Sequence, residues 1–247
     1  MILRFESHTH TNFSDGTLYK LMIRTAIKKR IDVLAVTDHN TQEGYTFCVR
    51  YAEKCARLNI GSIFILPSEE VGCQGGDILA YGISEAIKKR CEMCETVDKI
   101  HDQGGLAVIA HPFNLFESIS TSAIMKCDFD GIEIPNYNSF DLSKILARKF
   151  ANSRPSLFQI GGSDAHHPWD LGIVLNLVEA SLETDSILKA LKKKRFRVIQ
   201  RTPTFPWRAY YYLKNNIPNG FNIIRTGMKY QISWLYKKHY LRHISRT

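Results

Sequence analysis

Histidines and acids gather directly behind short apolar runs at five places along the chain, and this recurrence limits the fold more than any other feature. The clusters are SHTHTNFSDG from Ser7 to Gly16, TDH at Thr37 to His39, SEE at Ser68 to Glu70, AHP at Ala110 to Pro112 and SDAH at Ser163 to His166. The step from His8 to His39 is 31 residues, from His39 to Glu70 31, from Glu70 to His111 41, and from Glu133 to Asp164 31. The runs before the clusters, at 1–5, 32–36, 62–66, 106–109 and 156–160, have the length and apolar character of buried strands. Most intervals have room for a helix. In a barrel of strand–helix units, residues just past each strand's carboxyl end converge on one face, so ligands far apart in sequence can meet there. The length of 247 residues suits one such domain plus an appendage.

Neutral imidazole and carboxylate form the ligand set that suits Zn, Mn and Fe. His8 and His10 stand two apart, so on extended backbone both side chains point the same way and can hold one ion. Glu70 has two oxygens with which to bridge two cations, and Asp164 can hold another ion together with a hydroxide. Several close cations lower the pKa of bound water and neutralise charge on a transferring phosphoryl group, so the chain reads as a metal-dependent hydrolase of phosphate esters. Glu133 has two readings, an acid that orients a ligand histidine or a solvated rim acid. His101, His167 and the tail's His239 and His243 read as non-ligands.

Helices are predicted over 18–30, 41–58, 84–103, 142–152 and 182–194, with further strands at 77–83, 131–134, 172–178 and 195–199. Pro112 is expected to push His111 toward extended backbone. The six cysteines form no disulfide-scaffold spacing, and Cys91 and Cys94 read as ordinary reduced thiols in a helix. No stretch reaches the ~18 apolar residues of a membrane span, and the start lacks the regions of a signal peptide, so a cytoplasmic protein is expected.

Charge is divided unevenly. Residues 186–247 hold 15 Lys and Arg and no acid, whereas residues 1–185 hold 18 basic residues against all 24 acidic ones. The TPTFP stretch at 202–206 marks a boundary, giving a domain over 1–201 and a basic, aromatic-rich helical extension over 202–247. Within the extension a helix is predicted over 221–239, with Trp207, Tyr210 and Trp234 interleaved among the charges. That mixture suits single-stranded nucleic acid or an anionic membrane surface, and its apolar face also suits docking against the domain.

In order and spacing, HTHTNFSDGT, AVTDHNT, LPSEE, AHP and GGSDAHH resemble the motifs of the PHP family, the polymerase and histidinol phosphatase superfamily, over about residues 1–200. The resemblance implies an α/β fold, a distorted seven-stranded (β/α) barrel, and a trinuclear site filled by two or three divalent ions, Mn, Fe or Zn. Carried over by position, it makes His8, His10, Asp15, His39, Glu70, His111, Asp164 and His166 ligands. Ser68 stands where the family's usual glycine precedes its glutamate, and Glu70 is favoured over Glu69 by its offset from Pro67. Asp77 replaces a histidine of many relatives and remains able to ligate. The implied reaction is hydrolysis by a metal-bridged hydroxide, with Asp164 orienting it and His111 near the substrate oxygens. The expected substrate is a nucleotide, a phosphomonoester or an oligonucleotide end. Two alternatives are a nucleic-acid-binding or scaffolding protein with a catalytically idle barrel, and a phosphatase tethered to membrane by its tail.

Overall fold

The computed structural model describes residues 1–113, 121–139 and 141–201. The apolar runs do become strands, but not a closed ring. One open sheet has the order β10-β9-β1-β2-β3 and is built from β1 (Ile2–Glu6), β2 (Val33–Ala35), β3 (Phe64–Leu66), β9 (Val174–Glu179) and β10 (Phe196–Gln200). The other has the order β4-β5-β6-β7-β8, from β4 (Ser68–Cys73), β5 (Gly76–Tyr81), β6 (Leu106–Ile109), β7 (Gly131–Asn136) and β8 (Phe158–Gly162). The pairs β1–β2, β2–β3, β6–β7 and β7–β8 run parallel, as strand–helix–strand units require, whereas β4–β5, β5–β6, β1–β9 and β9–β10 are antiparallel. Pro67, with no N–H to give, separates β3 from β4, and there the chain passes from one sheet to the other.

The seven-stranded barrel is thus replaced by a mixed α/β fold of two five-stranded sheets. Among the described residues they meet through the isolated bridges Thr9–Ala165, beyond the ends of β1 and β8, and His39–Glu70, from the loop after β2 to β4. The sheets nevertheless share one interior, in which Phe5, Val33 and Val178 of the first pack with Leu79, Val108 and Ile160 of the second. Helices α1 (Tyr19–Lys28) and α2 (Glu43–Arg57) cover the outside of the first sheet, burying Met22, Ala26, Cys48 and Cys55 over Leu34 and Ile65. Helices α3 (Met93–Asp102), α4 (Thr121–Lys126) and α5 (Asp141–Asn152) lie on the second, over Ile78, Ile109 and Ile132. The last helix, α6 (Thr184–Lys192), places Ile187 and Leu191 in the shared interior. Each buried Leu or Ile contributes about 1.5–3 kcal/mol relative to exposure, so the shared interior supports the strand ends that carry the clusters.

Three expectations about local structure are corrected. The helix expected over 84–103 begins only at Met93. Residues ahead of it are held instead by side chains, the Ser84 and Glu85 N–H groups donating to Gln103 Oε1 and the Ile87 N–H to Glu69 Oε2. β4 occupies a stretch that carried no strand prediction, because SEEVGC alternates polar and apolar residues only briefly. Cys94 is not a free thiol: it forms a disulfide with Cys127, joining the first turn of α3 to the residue after α4. Among the described residues no helix is long and apolar enough to cross a membrane. Met1–Arg201 form one compact unit, and the basic extension with its expected helix lies outside the described residues.

Candidate metal centre

The carboxyl ends of β1, β2, β6 and β8 and the start of β4 deliver the clusters, and backbone bonds across the sheet ends fix their register. The His10 N–H donates to Ala165 O at 2.9 Å, the Ala165 N–H to His8 O at 3.1 Å, the Thr37 N–H to Thr9 O at 2.8 Å and the Asn40 N–H to Glu70 O at 2.9 Å. Asp38, quoted in the sequence only as part of TDH, organises the first loop. Its carboxylate accepts from the Thr11 N–H (2.6 Å), the Thr11 hydroxyl (2.6 Å) and the Ser14 hydroxyl (2.7 Å). Gly44 at the start of α2 leaves room for it, since any Cβ there would collide with the Asp38 carboxylate.

At the centre, His8 Nε2 and His10 Nε2 lie 3.0 Å apart, and Glu70 Oε2 is 3.2 Å from each. Asp164 Oδ1 stands 3.6 Å from His8 Nε2 and 3.4 Å from His10 Nε2. The other Glu70 oxygen meets His111 Nε2 at 2.8 Å. Nearer solvent, Asp15 shares a hydrogen bond with His166 at 3.1 Å and lies 3.5 Å from His10 Nδ1 and 3.9 Å from His39 Nε2. His39 Nδ1 is in turn 3.4 Å from Glu70 Oε2.

Three donor groups result: His8, Glu70 and His111; His8, His10 and Asp164; His10, Asp15 and His39. His166 joins through Asp15 and Asp164. Asp77 belongs to none of them; it pairs with Gly72 at the start of β5, on the strand face that carries Leu79 and Tyr81. Glu69 points the opposite way, its Oε2 accepting from Ile87 and burial pushing it up to about 7. His101 bonds Asp130 on the far side, and His167 contacts Thr17 and Trp169.

Glu133 is a buried partner of the cluster. Its Oε1 bonds His8 Nδ1 at 2.8 Å, while Oε2 accepts from the His111 N–H (2.8 Å) and the Asn136 amide (3.0 Å). Gly162 makes the approach possible, because a side chain there would strike Glu133 Oε1. The expectation of extended backbone at His111 is corrected: its φ is +24°, a strained value held by the Glu133 bond at its N–H and the Glu70 bond at its ring. Asp164 is also left-handed, at φ +49°, with its carbonyl accepting from the Asn138 amide at 2.7 Å. Glu6 went unnoticed in the sequence. Buried below the SDAH turn, it accepts from the Ser163 hydroxyl and the Gly172 N–H, each at 2.7 Å, and burial raises it to about 7 despite those bonds.

Burial opposes charge on every central group, yet their mutual attraction outweighs it. For His10, burial is overcome by its bonds to Asp164 and Glu70, which bring it to about 9. For His111, burial is overcome by the Glu70 bond and the nearby carboxylates, which bring it to about 10. His8 stands well above its ordinary value, the charges of Glu133, Glu70 and Asp164 exceeding the effect of burial. Burial would raise Glu70 and Asp164, but the His8 charge and bonds to the other imidazoles hold both well below the usual carboxylate range.

The arrangement fits divalent ions. Two donors bound to one ion at ~2.1 Å with angles between octahedral and tetrahedral stand roughly 3.0–3.4 Å apart. The observed central spacings of 3.0, 3.2 and 3.4 Å fall in that window. Glu133 on His8 Nδ1 supplies the outer carboxylate that fixes a ligand imidazole's tautomer and aims its other nitrogen inward.

Residues 145–196 match the family model described as PHP-associated. The uncharacterized protein MJ1587 of Methanocaldococcus jannaschii is 29% identical over 163 residues, covering 58% of this chain and 92% of that protein. MJ0417 of the same organism is 24% identical over 253 residues, covering 96% and 95%. Among solved structures, a two-domain protein from Bacteroides vulgatus containing a predicted PHP-like metal-dependent phosphoesterase superposes with a TM-score of 0.66 at 19% identity, over 81% of this chain and 65% of that one. The lesion-specific endonuclease PfuEndoQ from Pyrococcus furiosus gives 0.58 at 15% identity, over 80% of this chain and 58% of that one. At these identities the structural likeness is one of fold, and the chain spans less than two thirds of either protein. The matched family model over 145–196, the shared fold and the ordered motifs together support the PHP superfamily.

Proposed function

We propose that the protein is a metal-dependent phosphoesterase whose substrate is a nucleotide, a phosphomonoester or an oligonucleotide end. The observation that carries this reading is the run of three donor groups linked through His8 and His10, with Glu70 and Asp164 oxygens 3.2–3.6 Å from both central nitrogens. In this reading His8, His10, Asp15, His39, Glu70, His111, Asp164 and His166 hold two or three divalent ions, Mn, Fe or Zn, while Asp77, the further ligand implied by the resemblance, lies in none of the donor groups. Bound ions would activate water and offset charge on the phosphoryl oxygens.

The chain's own residues do the rest. Glu133 holds His8 so that Nε2 faces the centre. Asp164, carried on a strained turn, accepts a proton from the attacking water and keeps it in line with phosphorus. His111, anchored through its N–H to Glu133, presents its ring beside Glu70, where a substrate oxygen arrives. Asp15, 55% exposed at its side chain, and His39, 36% exposed, form the open mouth through which the ester enters. PfuEndoQ, whose fold is shared, is a lesion-specific endonuclease, and an Endonuclease Q of the same fold has been crystallised with a duplex bearing an abasic lesion at its active site, which favours a nucleic acid or nucleotide over a sugar phosphate.

The test is metal analysis of the purified protein followed by turnover of p-nitrophenyl phosphate, bis-p-nitrophenyl phosphate, nucleotides and short oligonucleotides. Stoichiometric metal with turnover lost in His8→Ala is the expected result. A protein that takes up no metal and turns over none of the panel would overturn it in favour of an idle scaffold.

A further inference from the structure

An aromatic cluster adjoins the donor loop and plays no part in the chemistry above. Phe13, two residues before Asp15, stacks on Phe47 of α2 with centroids 4.8 Å apart and planes 23° apart. Tyr19 lies 5.8 Å from Phe13, 5.9 Å from Phe47 and 5.9 Å from Tyr51. Phe47 is 40% exposed although two rings pack against it. Two residues of chain span at most ~7 Å, so the Phe13 backbone lies within a nucleotide's length of Asp15.

Behind the rings the surface turns basic. Lys20 Nζ sits 5.6 Å from the Tyr19 ring centre and 6.0 Å from that of Tyr51. One turn on, Arg24 of α1 and Lys54 of α2 flank a single point of the seam between the helices, Cys55, whose thiol is raised by burial and pulled back by both cations. All three cations are exposed, and none is ion-paired with a carboxylate among the described residues. No Asp or Glu occurs from residue 16 to residue 31. The domain over 1–201 is nearly balanced, with 25 Lys and Arg against 24 Asp and Glu, so this positive strip is local. Aromatic faces that stack bases, continued by cations that follow a backbone, form the pattern that holds single strands without reading sequence.

We propose that the α1–α2 seam is a track for single-stranded nucleic acid, with the Phe13–Phe47 cluster stacking a base of the strand whose phosphate enters the donor cluster. Its direction rests on the phosphoesterase reading of the site; the binding surface itself does not. Strand passage along Lys20, Arg24 and Lys54 makes an oligonucleotide end, rather than a free sugar phosphate, the substrate class.

The test uses the full chain as purified. Fluorescence anisotropy follows labelled dT12, rU12 and an abasic 12-mer before turnover, at several salt concentrations, for wild type, Phe47→Ala and the triple variant Lys20→Glu/Arg24→Glu/Lys54→Glu. Phe47→Ala is expected to weaken dT12 and rU12 about tenfold while leaving the abasic strand unchanged. The triple variant is expected to weaken all three strands and to flatten the log–log salt slope by about 2. Both variants keep wild-type turnover of p-nitrophenyl phosphate, which also reports that they fold. Unchanged oligonucleotide affinity in both variants would overturn the track, and leave the phosphoesterase reading standing if the small ester is still hydrolysed. Binding to vesicles of anionic lipid in place of oligonucleotide, lost on the same charge reversals, would also overturn it. Absent ester turnover in wild type, with the binding differences as expected, would sink the catalytic reading and spare the track.

Discussion

The donor cluster has two halves built from the same residue types but held differently. In the inner half, His8, His10, Glu70 and His111 are almost fully buried, and every imidazole touches a carboxylate whose charge it needs. In the outer half, Asp15 and His39 are open to solvent and touch their neighbours at 3.1–3.9 Å. A buried charge that loses its partner cannot turn to water, whereas an exposed one can. The inner half should therefore behave as one coupled unit, and the outer half as separable ligands.

The largest effect follows from removing the carboxylate that faces the inner imidazoles. Asp164→Asn preserves shape but removes the negative charge facing His8 and His10, so turnover is expected to fall by ~10³-fold or more, with loss of metal and a circular dichroism spectrum like wild type. Near-wild-type turnover at full metal occupancy would show that Asp164 is a bystander.

Next in size is a pH effect confined to the metal-free protein. His10 at about 9 and His111 at about 10 bind protons more tightly folded than unfolded, where the ordinary value is 6.5. Their contribution is complete below pH 6.5 and is lost as pH rises through 9 to 10, of order 3 kcal/mol for His10 and 5 kcal/mol for His111 if they titrated independently and less because they are coupled. Glu70 and Asp164, held low, act oppositely, and their contribution is lost as pH falls below about 4. Thermal melts in chelator should thus fall steeply from pH 7 to 9.5, and metal should remove most of that fall. Equal slopes with and without metal would mean that the ions do not displace protons from these imidazoles.

This division was only half legible beforehand. His8, His10, Glu70 and Asp164 announced themselves because each follows an apolar run, and strand ends in such folds point to one place. The strands were readable for the same reason, since β1, β2, β6 and β8 are short and mostly buried. Closure was not readable. Whether sheets join depends on pairings such as β1 with β9, 170 or more residues apart, and no local pattern specifies them. Asp38 and Glu6 were missed because their work is to accept hydrogen bonds from Thr11, Ser14, Ser163 and Gly172, contacts that exist only after folding. Cys94 was misread because its partner, Cys127, lies 33 residues away, just past another helix.

The smallest effect is expected at the mouth. His39 is 36% exposed at its side chain and reaches Glu70 Oε2 at 3.4 Å, so in His39→Ala a water molecule can occupy the vacated position without burying an unpaired charge. Loss of one metal equivalent or a roughly tenfold weaker affinity for it is expected, in the range of outer contacts to a metal site, with the inner ions retained. Elemental analysis of dialysed protein at graded chelator concentrations separates the cases. If His39→Ala empties the whole site as Asp164→Asn does, the halves are a single cooperative cluster, and the exposure of His39 is no guide to its role. If only one equivalent leaves and turnover persists at a reduced rate, the buried imidazoles and carboxylates are sufficient for the chemistry, and the outer pair serves to admit and seat the ester.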